Sequence, residues 1–328
     1  MSTPRLLLLD SASLYFRAFY GVPDQRDDPL EPPTNAVRGF IDMIATLVNA
    51  HRPTELVACW DNDWRPQWRV DLIPSYKAHR VAGEVGPVPA GEQPDQEHPA
   101  TGGLAEEVPD DLAPQVPLIV DALKAFGIAR IGVDGYEADD VIGTLVAKNK
   151  GRLPIDVVSG DRDMLQLVDD AAAVRVLYTG KGGVREPDIG TEAMLREKYG
   201  VADGQGYLDM SIMRGDTSDG LPGVKGIGDK TAAQLIVEFG SLAALRAAVE
   251  SGDPRIKGAR RTNLEAAAAY LDVAPEVVRV APDAPVPALD LTLPDRVADV
   301  RLLSELASVY GLTSPINRLL SALGLGQN

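Results

Sequence analysis

Four apolar runs in this chain each break off on carboxylates. Arg5-Leu6-Leu7-Leu8-Leu9 stops at Asp10, and Glu55 to Trp60 stops at Asp61, with Asp63 two residues on. Ile128 to Val133 leads into Glu137-Ala138-Asp139-Asp140, and Pro154 to Gly160 stops at Asp161-Arg162-Asp163. Runs this short and apolar, alternating with stretches of helical spacing, read as buried strands of an α/β chain. The expected fold is a mostly parallel central sheet with helices on both faces. In open sheets of this kind ligands bind at the carboxyl ends of the strands, so these acids converge on one edge. Acids in a first helical turn also complement the macrodipole, and a single such ending reads equally well as capping. Repetition at four strands does not.

The densest site is Glu137-Ala138-Asp139-Asp140, where Val141, Ile142, Leu145 and Val146 supply the apolar stripe of the following helix. Adjacent helical residues point about 100° apart, so Asp139 and Asp140 can serve two ions, or one ion and a supporting partner, while Glu137 reaches in from the turn. Carboxylates at this density repel unless cations neutralise them, and hard oxygen ligands suit Mg²⁺ or Mn²⁺. Asp216 and Asp219 add two more acids before a glycine-rich stretch. Asp10, Asp61, Glu137, Asp139, Asp140, Asp161, Asp163, Asp216 and Asp219 together suggest two or more divalent ions.

The rest of the chain frames that edge. Ser13 to Tyr20 reads as a short amphipathic helix carrying Arg17 near Asp10, and Ala36 to about Ala50 as a second helix capped by Thr34 or Asn35. Trp64 to Arg80 interleaves cations with aromatics and lacks a clean period, which fits phosphate neutralisation and base stacking. A solvated face is its plain alternative. Residues 81–109 hold five Pro and five Gly with almost no bulky apolar side chain and are expected to be a mobile insertion. Asp110 or Asp111 is expected to open a helix through Phe126, and Met164 to Leu167 to start another; Val174 to Tyr178 lies within a fifth strand. Leu221 to Ala233 resembles a helix-hairpin-helix, with Gly226 and Gly228 permitting a tight turn and the next helix offering free N–H groups to an anion. Two amphipathic helices over about 297–323 are expected to pack back on the sheet.

At 328 residues the length suggests two lobes and leaves no room for a polymerase-sized domain. The formal charge of −16 argues against a nucleic-acid partner only until its distribution is considered. Nine of the acids are candidate ligands and eight crowd into 81–111 without a Lys or Arg, so the remainder is near neutral and can carry basic patches. The single Cys59 excludes an intrachain disulfide and suits a reducing compartment. No apolar run approaches the ~18 residues of a membrane span, and Asp10 comes too early for a signal peptide, so a cytoplasmic protein without a membrane partner is expected.

In order and combination, Leu9-Asp10, Trp60-Asp61, Tyr76-Lys77-Ala78-His79-Arg80, Glu137-Ala138-Asp139-Asp140, Ser159-Gly160-Asp161-Arg162-Asp163-Met164 and Gly215-Asp216-Thr217-Ser218-Asp219-Gly220-Leu221-Pro222-Gly223 resemble the flap endonuclease superfamily. The likeness is to the bacterial 5′-nucleases that occur free-standing or as the 5′-to-3′ exonuclease domain of DNA polymerase I. It implies a PIN-like nuclease core over 1–190 with an arch over about 64–110, a helical DNA-binding lobe over 191–290, and terminal helices over 291–328. It also implies metal-dependent hydrolysis of phosphodiesters at flaps and 5′ ends of branched or nicked DNA, and of RNA–DNA hybrid primers, with K⁺ at the hairpin. A separate DNA polymerase and ligase would complete the repair, and the chain would act as a monomer in the bacterial nucleoid. Asp10, Glu137, Asp139, Asp140 and Asp161 would hold the first ion and the other acids the second. Lys77 and Arg80 would stabilise charge on the scissile phosphate, Tyr20 or Tyr76 would stack on the terminal base, and Arg17, Lys225, Gly226, Gly228, Lys230 and Thr231 would meet DNA. Three departures carry expectations of their own: Gly220 replaces the usual Asn and loosens the turn, Asp63 with Trp64 offers an additional metal contact, and the 81–109 insertion is longer and more acidic than the usual arch. Two other readings stay open, a non-catalytic binder of branched DNA and a PIN-type RNase.

Overall fold

In the first strand every side chain is buried, yet alternate residues serve different cores. The computed structural model describes residues 4–26, 28, 31–81 and 108–325; the insertion expected over 81–109 falls outside them except at its two ends. In β1 (Leu6–Asp10), Leu6 and Leu8 join one apolar cluster while Leu7 and Leu9 join another on the opposite face of the sheet. A strand flanked by sheet on both edges and helices on both faces must read as a continuous apolar run.

The sheet has the order β3-β2-β1-β4-β5-β6, with β2 (Glu55–Trp60), β3 (Ala129–Gly132), β4 (Ile155–Ser159) and β5 (Val174–Tyr178) parallel and the short β6 (Asp188–Gly190) antiparallel to β5. The chain builds outward from β1 to β2 and β3, then returns to lay β4 on the other side of β1. That reversal opens a crevice at the carboxyl ends of β1 and β4.

On the Leu7 face lie α1 (Ser11–Gly21), α2 (Asn35–His51) and α4 (Gln115–Phe126). On the Leu6 face lies α5 (Ala138–Asn149), and beyond it the helical lobe: α6 (Glu192–Lys198), α7 (Gly204–Arg214), α8 (Asp229–Phe239), α9 (Leu242–Glu250), α10 (Gly258–Ala266) and α11 (Ala268–Val278). Its apolar side chains and those of the sheet form one cluster running from Leu6 to Val280. The terminal helices α12 (Val300–Val309) and α13 (Thr313–Ala322), expected to pack on the sheet, pack chiefly against α4 and α2.

Three local expectations are corrected. The helix before β3 begins at Gln115, four residues after Asp111, because 110–114 form turns in which the Asp111 carbonyl accepts from the Gln115 side-chain amide and the Gln115 N–H turns back to the Leu112 carbonyl. Met164 to Leu167 makes only a 3₁₀ turn (Arg162–Leu167), ended by extended Val168. The stretch after Asp61, which shows no period, contains a short helix α3 (Gln67–Leu72) followed by a 3₁₀ turn (Ala78–Arg80).

Candidate active site

The crevice at the strand ends is a cavity of about 540 Å³. Eight carboxylates from five separate segments line it: Asp10, Asp61, Glu137, Asp139, Asp161, Asp163, Asp216 and Asp219. Local folding puts each there. Asp10 closes β1 and caps α1, accepting from the Ser13 N–H at 3.1 Å and from the Ser159 hydroxyl at 2.5 Å. Asp61 follows β2 and accepts from the N–H of Ala138 at 2.8 Å, which ties it to the start of α5. Asp161 follows β4 and caps the 3₁₀ turn through the Asp163 N–H at 2.7 Å. Gly160 makes this turn possible, since a Cβ there would lie 2.7 Å from the Ser13 hydroxyl. Asp216 accepts from the Ser218 N–H at 2.8 Å and from Arg162 at 3.1 Å.

Burial foremost, and then repulsion from Asp61 and Asp161, pushes Asp10 up to about 7 despite the Ser159 hydrogen bond. Burial and Asp161 push Asp163 up to about 7, and burial with Asp10 and Asp161 holds Asp139 well above the carboxylate range. Glu137 differs: burial opposes its ionisation, but Lys77 and Arg69 hold it below its ordinary value. The Asp10, Asp139 and Asp163 side of the cavity is therefore short of positive charge. The buried Oδ1 of Asp163 has no hydrogen-bond donor, and the Arg214 guanidinium stands 3.7 Å away. Hard, crowded, under-neutralised oxygens of this kind fit divalent cations. Among the described residues no group of three or more His, Cys, Asp or Glu side chains is drawn into a finished ion cage. In the cluster, Asp10 accepts from Ser159 and the Ser13 N–H, Asp61 from the Ala138 N–H, and Glu137 from Lys77.

Two candidate ligands stand elsewhere. Asp140 is fully buried, takes two hydrogen bonds from Arg69 at 2.6 and 2.7 Å and one from the Ala281 N–H at 2.8 Å, and does not line the cavity. With its oxygens so occupied it is a structural partner of Arg69, correcting its assignment as a ligand. Asp63 accepts from the Arg65 N–H at 3.2 Å and also does not line the cavity, which corrects the additional contact expected there.

Lys77 and Arg80 do line it. Lys77 donates to Glu137 Oε1 and stands 3.4 Å from the Trp64 carbonyl, and Arg80 donates to Asp219 Oδ1 at 2.6 Å. Their segment is docked on the 216–220 loop: the Lys77 N–H donates to the Asp219 carbonyl at 3.0 Å and the Ser75 hydroxyl to the Gly220 carbonyl at 2.6 Å. Gly220 (φ 69°) does not loosen this turn. It permits the closest approach in the region, for a Cβ there would lie 1.9 Å from the Ser75 carbonyl oxygen.

Tyr76 is buried and donates its hydroxyl to Glu137 at 2.6 Å, so it offers no open ring to a base, correcting that expectation. Tyr20 is 73% exposed at the end of α1 and edges against Phe19. Arg17 donates to the Gly180 carbonyl at 3.1 Å and lines a neighbouring cavity of about 390 Å³ with Lys181 and Arg185. In the helical lobe, Lys225, Gly226, Gly228 and Lys230 are exposed and Thr231 partly so, around the start of α8. No side chain caps that helix, and Asn263 steadies the turn by donating to the Lys225 carbonyl at 2.8 Å. Nothing in the sequence marks Arg162 and Arg214, which flank Asp216, or Arg69, which lies within the cation-rich stretch yet turns inward.

The 5′-3′ exonuclease, N-terminal resolvase-like domain model matches residues 5–200, and the 5′-3′ exonuclease, C-terminal SAM fold model matches residues 202–298. A 5′-3′ exonuclease of Streptomyces coelicolor is 56% identical over 317 residues, covering 97% of this chain and 99% of its own. DNA polymerase I of Mycobacterium tuberculosis is 39% identical over 264 residues, which are 80% of this chain and 26% of that protein. The fold is also similar to a crystal structure of the bacteriophage T5 flap endonuclease with DNA and metal ions, at a TM-score of 0.62 and 17% identity, over 98% of this chain and 99% of that one.

Proposed function

This chain belongs to the 5′-3′ exonuclease family and is a nuclease of the 5′-exonuclease and flap-endonuclease kind; we propose that its cavity carboxylates perform the hydrolysis with two or more Mg²⁺ or Mn²⁺ ions. The observation that carries this reading is the convergence of eight acids on one crevice. Asp10, Glu137, Asp139 and Asp161 would hold one ion, and Asp61, Asp163, Asp216 and Asp219 would hold or orient another. Bound divalent ions supply Lewis acidity and a water of lowered pKa for in-line attack on the phosphodiester. Lys77, kept protonated because Glu137 outweighs the cost of its burial, is placed to donate to a phosphate oxygen as charge develops. Arg80 neutralises the same phosphate from the Asp219 side.

Substrates are flaps and 5′ ends of branched or nicked DNA, extending to RNA–DNA hybrid primers, bound by a monomer in the cytoplasm. The exposed turn 225–231 would hold duplex backbone through N–H groups and Lys225 and Lys230, and K⁺ held at that turn would add positive charge toward the phosphates. Arg17 and Tyr20 would meet the strand leaving the cavity, and polymerase and ligase activities would come from separate proteins. The test is cleavage of 5′-labelled flap, nicked duplex and single strand in Mg²⁺, Mn²⁺ or EDTA. Cleavage concentrated at the 5′ junction and silenced by EDTA is expected; activity that survives EDTA sinks the metal reading.

A further inference from the structure

Arg69 is the one Lys or Arg among the described residues that is fully buried, at 2% exposure, and it touches neither the cavity nor solvent. Its Nη1 donates to Glu137 Oε2 at 2.5 Å and to Asp140 Oδ2 at 2.7 Å, its Nη2 to Asp140 Oδ1 at 2.6 Å, and its Nε to the Val277 carbonyl at 3.0 Å. Asp140 in turn accepts from the Glu137 N–H at 3.2 Å, closing a capping box around the first turn of α5. The two carboxylates thus held flank Asp139, whose side chain leaves the helix about 100° from that of Asp140. Glu137 and Asp139 line the cavity and Asp140 does not.

We propose that Arg69 is a positioning residue for the cation site: by holding Glu137 and Asp140 on either side of Asp139 it fixes the first turn of α5, and so sets the affinity for divalent ions without touching substrate. This rests on the reading that the cluster binds such ions. A buried ion pair is weak evidence for stability as such, because desolvation offsets much of its attraction. The forked geometry matters instead, since Lys in the same place keeps the charge but cannot hold both carboxylates.

The experiment compares the full-length wild type with Arg69→Lys, measuring Mn²⁺ binding to the free protein from the electron paramagnetic resonance of unbound Mn²⁺, alongside cleavage of a 5′-labelled flap. The variant is expected to bind Mn²⁺ about tenfold more weakly or worse, with kcat reduced by a comparable factor. KM for the flap should stay within about twofold of wild type. Asp140→Asn, which keeps the shape but removes the charge that Arg69 holds, should move Mn²⁺ affinity in the same direction by less. If Arg69→Lys is unfolded by circular dichroism, Asp140→Asn decides on the same measurements. Wild-type Mn²⁺ affinity in the folded variant, or a loss confined to KM, overturns the proposal. A wild type that binds no Mn²⁺ overturns the cation reading itself, so the two failures are distinct.

Discussion

Replacing Asp139 with Asn removes a carboxylate that burial and its neighbours already disfavour as an anion. The expected variant folds, binds flap DNA, loses cleavage, and in EDTA melts no lower than wild type. Asp140→Asn should behave oppositely in stability. It breaks a buried pair with Arg69, so unfolding free energy should fall by about 3 kcal/mol in denaturant titrations. Equal stabilities for the two variants would contradict the split drawn between these adjacent acids. The difference was not legible in the sequence, because Arg69 lies 71 positions before Asp140 and Ala281 lies 141 after it. What was legible is that Asp10, Asp61 and Asp161 sit at strand ends and Asp139 in the first turn of the helix after β3, since that follows from local pattern alone. Tyr76 shows the same limit: an aromatic among cations reads as a stacking platform, and only the fold turns its hydroxyl onto Glu137. Gly220 is a sharper case. Gly220→Ala combines an unfavourable φ of 69° with a Cβ 1.9 Å from Ser75 O, so it should cost about 2 kcal/mol and undock Lys77 and Arg80. A variant with wild-type kcat would show that this docking is not needed for turnover.

The hairpin between α7 and α8 was readable as an element because glycine spacing and flanking lysines are properties of a short stretch. In the structure Gly223 and Gly226 take positive φ, and the turn presents Lys225 and Lys230 outward. If it meets backbone phosphate only, the double change of Lys225 and Lys230 to Ala should weaken binding to every duplex alike and lower the salt slope by about 2. A loss that depends on base sequence would contradict backbone recognition. Strands β1 to β5 and the longer amphipathic helices are equally plain, the strands as short apolar runs and the helices through their apolar period. Elements that lack one were not: β6 has three residues and exists only by pairing with β5, and α3 buries Arg69 where a period would show an apolar side chain. The start of α4 is hidden for a related reason, since Asp111 resembles a cap while its carbonyl is taken by the Gln115 side chain.

Across the whole molecule the cluster couples proton binding to stability, and the proposed cations would enter the same balance. Asp10 and Asp163 sit at about 7 in the folded chain, against roughly 4 for an unperturbed carboxyl group. Between those values the folded state binds more protons than the unfolded one, so their contribution is fully present below about pH 4 and is lost as pH rises through 7. Asp216, Asp169 and Glu137 shift downward, and their contributions change only below the carboxylate range, leaving them flat from pH 5.5 to 8. His51, lowered by burial, acts the other way as its unfolded form loses its proton near pH 6.5, but it is one group against a mutually repelling cluster. The chain in EDTA should therefore melt higher at about pH 5.5 than at about pH 8. Divalent ions bound as proposed would compete with protons for the same oxygens, so saturating Mn²⁺ should raise the melting temperature strongly at about pH 8 and only slightly at about pH 5.5. Differential scanning calorimetry over that grid of conditions measures both effects. An EDTA-treated chain that melts higher at pH 8, or an equal rise with Mn²⁺ at both pH values, would mean that the eight acids are neutralised within the fold and that the cavity does not depend on cations for its charge balance.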